Sequence, residues 1–124
     1  MKRRNVLAAL GGVPVAAALG NVARAQEAVA GTAMRMLMWF QSGQTTLVPL
    51  SANRFCEMMS ELTVSWLLLE GAVVADEAQK KTDANHPDHA FYAGKVQAAL
   101  YYARNYLPGV AHKAELLAED GEDE

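Results

Sequence analysis

Large apolar residues recur at helical spacing through residues 49–78 of this 124-residue chain. They follow one another in steps of four, three, four, three and four: Phe55, Met59, Leu62, Trp66, Leu69 and Val73. Residues three and four apart lie on one face of an α-helix, whereas the alternation of a half-buried strand fails at residues 66–69, which are all apolar. Polar residues fall outside this line: Glu57, Glu61, Ser65 and Glu70. The stretch therefore predicts a long helix whose apolar face must be covered by other helices.

The segment before this helix has the same periodicity and predicts a first helix over residues 15–40 or 15–42. Its apolar line contains one polar member, Gln26, and reads Val15, Leu19, Val22, Gln26, Val29, Ala33, Met36 and Phe40. Gly43 follows the last periodic residue. We expect it to adopt the left-handed conformation that commonly ends a helix.

A third helix follows a polar turn at residues 82–86. It begins at Pro87, and Pro108 closes or kinks it because proline lacks the backbone N–H and clashes with the preceding turn. Its small residues would let it approach the second helix closely: Ala93, Gly94, Ala98, Ala99 and Ala103. The expected fold is all-α, an antiparallel bundle of three long helices with room for a short fourth helix over residues 110–118.

The composition fits one globular domain, with 52% hydrophobic and 20% charged residues. We divide the chain into residues 1–30, a helical bundle domain over residues 31–118, and an acidic tail over residues 119–124. The net charge of −3 and the lack of a basic patch argue against a nucleic-acid partner. The single cysteine, Cys56, excludes an intrachain disulfide.

Residues 1–25 allow two interpretations. They have a basic start with a twin-arginine pair, Arg3-Arg4, then a charge-free run over residues 5–23 and the sequence Ala-Arg-Ala at residues 23–25. These features are typical of a secretory or twin-arginine signal that is cleaved after export. On this interpretation the mature chain lies in the periplasm.

The second interpretation treats the same residues as the first half of the first helix. The apolar line passes Ala25 without a change of phase, although a cleaved peptide has no reason to stay in phase with the mature helix. This interpretation places the chain in the cytoplasm. The apolar run is rich in Ala and Gly and contains Pro14, so it does not predict a stable membrane span.

Two histidines, His86 and His89, are three residues apart and could share a metal ion if both lay on one helix face. His86 precedes Pro87 and should lie outside the helix, which favours a surface turn followed by an exposed first-turn histidine. Cys56 lies within the periodic helix and is expected to be a small buried or half-buried thiol. We therefore assign no metal ligand here.

The acids Glu57, Glu61 and Glu70 are expected on the solvent face of the second helix. No Glu-x-x-His pair accompanies them, and no phosphate-binding loop, Gly-x-Ser-x-Gly or Cys-x-x-Cys-His occurs in the sequence. No catalytic, cofactor-binding or metal-binding residue is therefore assigned, and the chain is not expected to be active alone.

Methionines and tyrosines form two further groups. The methionines are expected in the core, near the turn that connects the first and second helices: Met34, Met36, Met38, Met58 and Met59. The alternative is an exported bundle that holds a ligand such as non-covalent haem between these side chains. The tyrosines lie on the third helix and could form a contact face: Tyr92, Tyr101, Tyr102 and Tyr106.

Residues 53–78 (NRFCEMMSELTVSWLLLEGAVVADEA) and 86–110 (HPDHAFYAGKVQAALYYARNYLPGV) resemble the extra C-terminal helical domain of bacterial acyl-CoA dehydrogenases. The shared features are a long helix with a Trp-Leu-Leu core, a polar turn, and a helix that opens with His-Pro-Asp and Phe-Tyr and ends in Leu-Pro. The resemblance extends over about residues 32–118.

The resemblance implies FAD-dependent oxidation of fatty acyl-CoA thioesters for the family as a whole. In that family the catalytic carboxylate and the FAD and CoA contacts lie upstream of this domain, so none is transferred to a residue here. The chain is then an accessory module that associates with itself or with a dehydrogenase core. This hypothesis requires an exposed apolar patch where the core would bind.

Overall fold

The computed structural model describes residues 13–121, which form four helices and no strand. Their bounds are Val13–Gln41 (α1), Leu47–Lys80 (α2), Pro87–Asn105 (α3) and Pro108–Asp120 (α4). The expected all-α bundle is confirmed. The short fourth helix begins two residues before and ends two residues after its predicted range.

Local sequence explains where α1 ends. Gly43 has φ +87°. The N–H of Gln44 donates to the carbonyl of Trp39 at 2.9 Å, and the N–H of Gly43 donates to that of Phe40 at 3.4 Å. This pair of bonds is a Schellman motif, which satisfies carbonyls left open at a helix end. The predicted role of Gly43 is confirmed.

The start of α3 is equally local. His86 has extended backbone (φ −72°, ψ 137°), and its Nδ1 accepts a hydrogen bond from the N–H of Asp88 at 3.2 Å. Pro87 occupies the first turn of the helix, where a missing N–H costs nothing. His86 therefore lies outside the helix, as predicted.

The two short helices together form the third arm of the bundle, which is antiparallel to α2. His89 of α3 contacts Gln79 near the end of α2. Asp120 of α4 pairs with Arg54 near the start of α2. The arm is broken before Pro108, which cannot donate a helical hydrogen bond. Because α4 reaches Asp120, it includes the first two residues of the predicted acidic tail, and residues 122–124 lie outside the described range.

The core is built from small side chains where the helices touch and from larger ones between them. The buried alanines come from three helices: Ala18, Ala25, Ala72, Ala75, Ala99 and Ala103. The largest fully buried side chains are Met58, Leu69, Leu107 and Leu117. Asn21 also donates from Nδ2 to the carbonyl of Ala103 at 3.0 Å, which ties α1 to α3. Small residues allow a short interaxial distance, so the backbones pack closely.

The buried face of α2 is rotated by about one residue from the predicted line. Met58 and Ser65 are 0% exposed, whereas Met59 is 44% exposed and Trp66 is only half-buried. Leu69 and Val73 are buried as predicted. The prediction for Ser65 was wrong because large apolar side chains were assumed to mark the centre of the face. In this bundle the centre of the buried face also includes small residues such as Ser65 and Ala72.

The same shift occurs in α1. Gln26, Ala33 and Phe40 were predicted on the buried line but are exposed, and the preceding residue is buried in each case: Ala25, Thr32 and Trp39. Val15 and Val22 are buried as predicted. The helix passes through residues 23–25 without interruption.

Two of the five small residues predicted at the α2–α3 contact are buried in the core. Ala99 and Ala103 are fully buried, whereas Gly94 and Ala98 are exposed and Ala93 is half-buried. The side of α3 that bears Gly94 and Ala98 faces away from the core.

Candidate functional site

A second apolar line follows α2 on the side opposite its buried face. Its members are spaced by three, four and three residues and are all exposed: Val64, Leu67, Gly71 and Val74. We call these four residues the α2 outer stripe. Leu67 is 60% and Val74 68% exposed. The stripe is exposed to solvent in the structure of residues 13–121, and continuous exposed apolar surface of this kind marks interaction sites.

Gly71 has no side chain, so the surface of the stripe is recessed at its middle. A Cβ placed there would meet nothing within 4 Å. The flanking Leu67 and Val74 therefore project beyond a gap that a partner's side chain can enter. The sequence carried a signal for this surface, because α2 has two apolar lines at helical spacing and a helix in a three-helix bundle needs only one.

The far end of α1 carries another exposed apolar group: Met34, Leu37, Met38 and Phe40. A surface pocket of about 380 Å³ lies beside it, lined by Gly31, Met34, Arg35, Met38, Trp39, Ser42 and Gln44. Met58 is in the core and Met59 is exposed. The methionines were predicted in the core, and this prediction was wrong for Met34, Met38 and Met59, which are exposed.

This pocket does not suit FAD. It lies at the C-terminal end of α1, where the open carbonyls and the helix dipole disfavour phosphate. Arg35 is the one cationic residue among those that line it. A dinucleotide would need backbone N–H groups or several cations for its pyrophosphate. No step of flavin chemistry is therefore assigned to the described residues.

A charged cluster joins α2 to α4. Lys113 Nζ lies 2.5 Å from Glu61 Oε1 and 3.5 Å from Glu57 Oε2. The hydrogen bond that Lys113 donates to Glu61 raises the pKa of Lys113, although burial opposes this shift. Glu61 is half-buried and paired, so its predicted place on the solvent face was wrong. Glu57 and Glu70 are exposed, as predicted.

Tyr102 of α3 belongs to the same cluster. Its pKa is raised, first by burial and then by the negative charge of Glu61. The cluster thus holds an ammonium group and a neutral phenol at neutral pH, which are poor bases and poor nucleophiles. Its chemistry suits a contact between helices and gives no catalytic group.

The remaining residues that could bind a metal ion lie apart from one another. His89 is half-buried, and its Nε2 lies 3.2 Å from Nε2 of Gln79, so its predicted exposure was wrong. Cys56 is exposed, which also contradicts the prediction. Among residues 13–121 no group of three or more His, Cys, Asp or Glu side chains could hold a metal ion.

By length and hydropathy, α2 could cross a membrane, and 33% of its most apolar window is buried inside the structure. The core helix of a soluble bundle has the same properties. The hydropathy of α2 is therefore weak evidence for a membrane span.

Comparisons with known proteins identify the domain. A family model described as "Acetyl-CoA dehydrogenase C-terminal like" matches residues 4–123. The broad-specificity linear acyl-CoA dehydrogenase FadE5 of Mycobacterium tuberculosis is 35% identical over 83 residues, which are 65% of this chain and 13% of that protein. Butyryl-CoA dehydrogenase of Syntrophomonas wolfei is 31% identical over 71 residues, 57% of this chain and 12% of that protein. No solved structure matches the chain.

The chain thus spans about an eighth of the length of these two relatives. In both, the matching region is a small part of a much longer dehydrogenase chain. The resemblance noted from the two sequence blocks is confirmed. Since the family match covers almost the whole sequence, the chain belongs to the acetyl-CoA dehydrogenase C-terminal-like family.

Proposed function

We propose that this chain is an accessory module that docks on the flavin-binding core of an acyl-CoA dehydrogenase through the α2 outer stripe. The exposed stripe is the observation that carries the proposal. In the two relatives the corresponding region is continuous with the rest of a dehydrogenase chain, which is a natural partner for an apolar face.

The exposed side chains of the stripe can contribute to binding. Full burial of a Val or Leu side chain stabilises a complex by about 1.5–3 kcal/mol before the costs of association are subtracted. Three such side chains in a line, with Gly71 among them, match the helix-in-groove mode of recognition, in which residues at spacings of three and four are the anchors. FAD and the acyl-CoA then bind to the core, and the module contributes contact area.

We further propose that the chain remains in the cytoplasm with residues 1–25 retained. Val15, Ala18, Val22 and Ala25 are buried in the bundle, so cleavage after Ala25 would remove four core side chains. Intact-mass measurement on separate cell compartments tests this. A periplasmic species that begins at Gln26 would contradict it.

The docking proposal is tested with a relative whose C-terminal module has been removed and whose bound flavin shows that its core is folded. Isothermal titration calorimetry of this core with the full chain should show saturable binding. Leu67→Asp should weaken binding by at least tenfold, since it places a charge in the apolar contact.

Leu37→Asp is the matched control, because Leu37 is also an exposed leucine but lies on α1. It should leave the affinity unchanged. Circular dichroism of both variants should match that of the parent chain. A core that does not bind the parent chain, or a loss of affinity with Leu37→Asp alone, would refute docking through the stripe.

A further inference from the structure

The solvent side of α3 carries a line of uncharged residues that is exposed in the structure of residues 13–121. Its members are spaced by four, three, four, three and four residues: Pro87, Phe91, Gly94, Ala98, Tyr101 and Asn105. We call these six residues the α3 outer seam. Phe91 is 60% and Tyr101 62% exposed. The outermost line of a surface helix ordinarily carries charged residues, so an aromatic pair at this position indicates a face that another helix covers.

The charged residues of α3 lie beside the seam and not within it. Lys95 is on one flank, and its Nζ lies 5.5 Å from the centre of the Phe91 ring. Arg104 is on the opposite flank, since its position is turned well away from that of Lys95 around the helix. The seam therefore offers two aromatic rings and a low centre of small residues, which suits an apolar helix as the partner.

The spacing of the seam makes it complementary to itself. Its positions are symmetric about residue 96, so an antiparallel second copy places its Tyr101 opposite Phe91 and its Ala98 opposite Gly94. Aromatic rings then meet at both ends of the contact, and small residues meet at its centre, where the two backbones can approach closely. Each contact occurs twice, as a closed two-fold dimer requires.

We propose that the α3 outer seam is a homodimer interface, in which α3 of one copy packs antiparallel against α3 of a second copy. The antiparallel orientation is favoured because the positive end of each helix dipole then lies beside the negative end of the other. It also brings Asp88, near the start of one α3, level with Arg104, near the end of the other. A parallel pair would instead place both copies of Asp88 at the same end.

The exposed area of the two rings determines how strong this dimer can be. Full burial of an aromatic side chain covers about 150–250 Å², so the four rings of the dimer, each about 60% exposed in the monomer, remove roughly 400–600 Å² of exposed surface. With the backbones and flanking side chains, we expect a total near the lower limit of about 1,000–1,200 Å² for specific interfaces. The expected Kd is therefore roughly 10–100 μM.

The contact is apolar, so it should survive high salt. The two Lys95 side chains lie on the same flank of the pair, where their repulsion opposes association. This repulsion is screened over about 10 Å at 0.1 M salt and about 3 Å at 1 M, so the dimer should persist or tighten at 1 M. The seam is on α3 and the α2 outer stripe is on α2. Dimerisation is therefore independent of docking on a dehydrogenase core and is measured without that core.

Sedimentation equilibrium of the full chain with a variant in the centre of the seam tests the proposal. Gly94→Leu should leave the chain folded, because a Cβ at this position meets nothing within 4 Å and leucine favours a helix more than glycine does. It should weaken the dimer by at least tenfold, since the leucine side chains keep the two backbones apart.

Gly31→Leu is the matched control. Gly31 is also an exposed helical glycine whose Cβ would meet nothing within 4 Å, but it lies on α1. This variant should leave the dimer unchanged, and circular dichroism of both variants should match that of the parent chain. The proposal is overturned by a parent chain that stays monomeric at ten times the expected Kd, by a dimer that dissociates at 1 M salt, or by a dimer that Gly94→Leu does not weaken.

Cysteine cross-linking tests the orientation. In chains that also carry Cys56→Ala, a mixture of the Gly94→Cys and Ala98→Cys variants should form a disulfide between unlike copies under mild oxidation. Antiparallel packing brings positions 94 and 98 together, and a disulfide requires Cα atoms within about 7 Å of each other. Disulfides that form only between like copies would indicate a parallel pair and would overturn the antiparallel dimer.

Discussion

Two neighbouring methionines test which face of α2 is buried. Met58 is 0% exposed and packs in the core, so Met58→Ala should lower the free energy of unfolding by about 2–5 kcal/mol through lost burial and the cavity left behind. Met59 is 44% exposed, and Met59→Ala should cost less than about 1 kcal/mol. Both residues are inside the same helix, so the change in helix propensity is equal and cancels in the comparison.

Urea unfolding followed by far-UV circular dichroism measures both losses. The midpoint should shift strongly for Met58→Ala and slightly for Met59→Ala, with the same dependence on denaturant for each. Equal losses, or a larger loss for Met59→Ala, would refute the rotated face. Such a result would show that the buried face follows the predicted line of large apolar residues, which begins at Phe55 and includes Met59.

Three further outcomes follow from buried or paired groups. Ser65 Oγ is buried and has no hydrogen-bond partner among residues 13–121, so Ser65→Ala should raise stability by about 1 kcal/mol in urea melts, and a loss would show that the hydroxyl is bonded. A Cβ on Gly121 would crowd Trp39, so Gly121→Ala should cost about 1–3 kcal/mol and shift the tryptophan emission; an unchanged midpoint would contradict the contact. The raised pKa of Lys113 means that its stabilisation is complete below the ordinary value of 10.5 and is lost as pH rises through the folded pKa. Glu61→Gln removes the main cause of that rise, so stability should fall less steeply in alkaline melts, and equal slopes would argue against the pair.

Helix ends were predictable because local residues determine them. Gly43 accepts a positive φ, and Pro87 and Pro108 can occupy only the first turn of a helix or a break in one. These three residues mark the end of α1 and the starts of α3 and α4. The information lies within a few residues of each boundary.

The buried faces were harder to predict because side-chain size does not reveal which residues meet another helix. The small residues Ala25 and Ser65 are fully buried, whereas the larger Phe40 and Trp66 lie at or beyond the edge of the core. That arrangement depends on how closely the backbones approach, which is a property of the whole bundle.

The candidate surfaces depended on the same long-range information. Leu67 is apolar, so its sequence alone is compatible with burial. Only the positions of the other helices show that it is exposed. Glu61 binds Lys113, 52 residues away in sequence, so no local pattern indicates the pair. The partner proposed for the α2 outer stripe comes from the family resemblance, and the structure adds which apolar face of α2 is exposed.

Photo-cross-linking tests the docking surface most directly. A benzophenone amino acid in place of Leu67 should form an adduct with the flavin-loaded dehydrogenase core when the mixture is irradiated. The same group in place of Gln97, an exposed polar residue on α3, should form none. An adduct from position 67 alone is the result that the account predicts. No adduct from position 67, or equal adducts from both positions, would contradict docking through the α2 outer stripe.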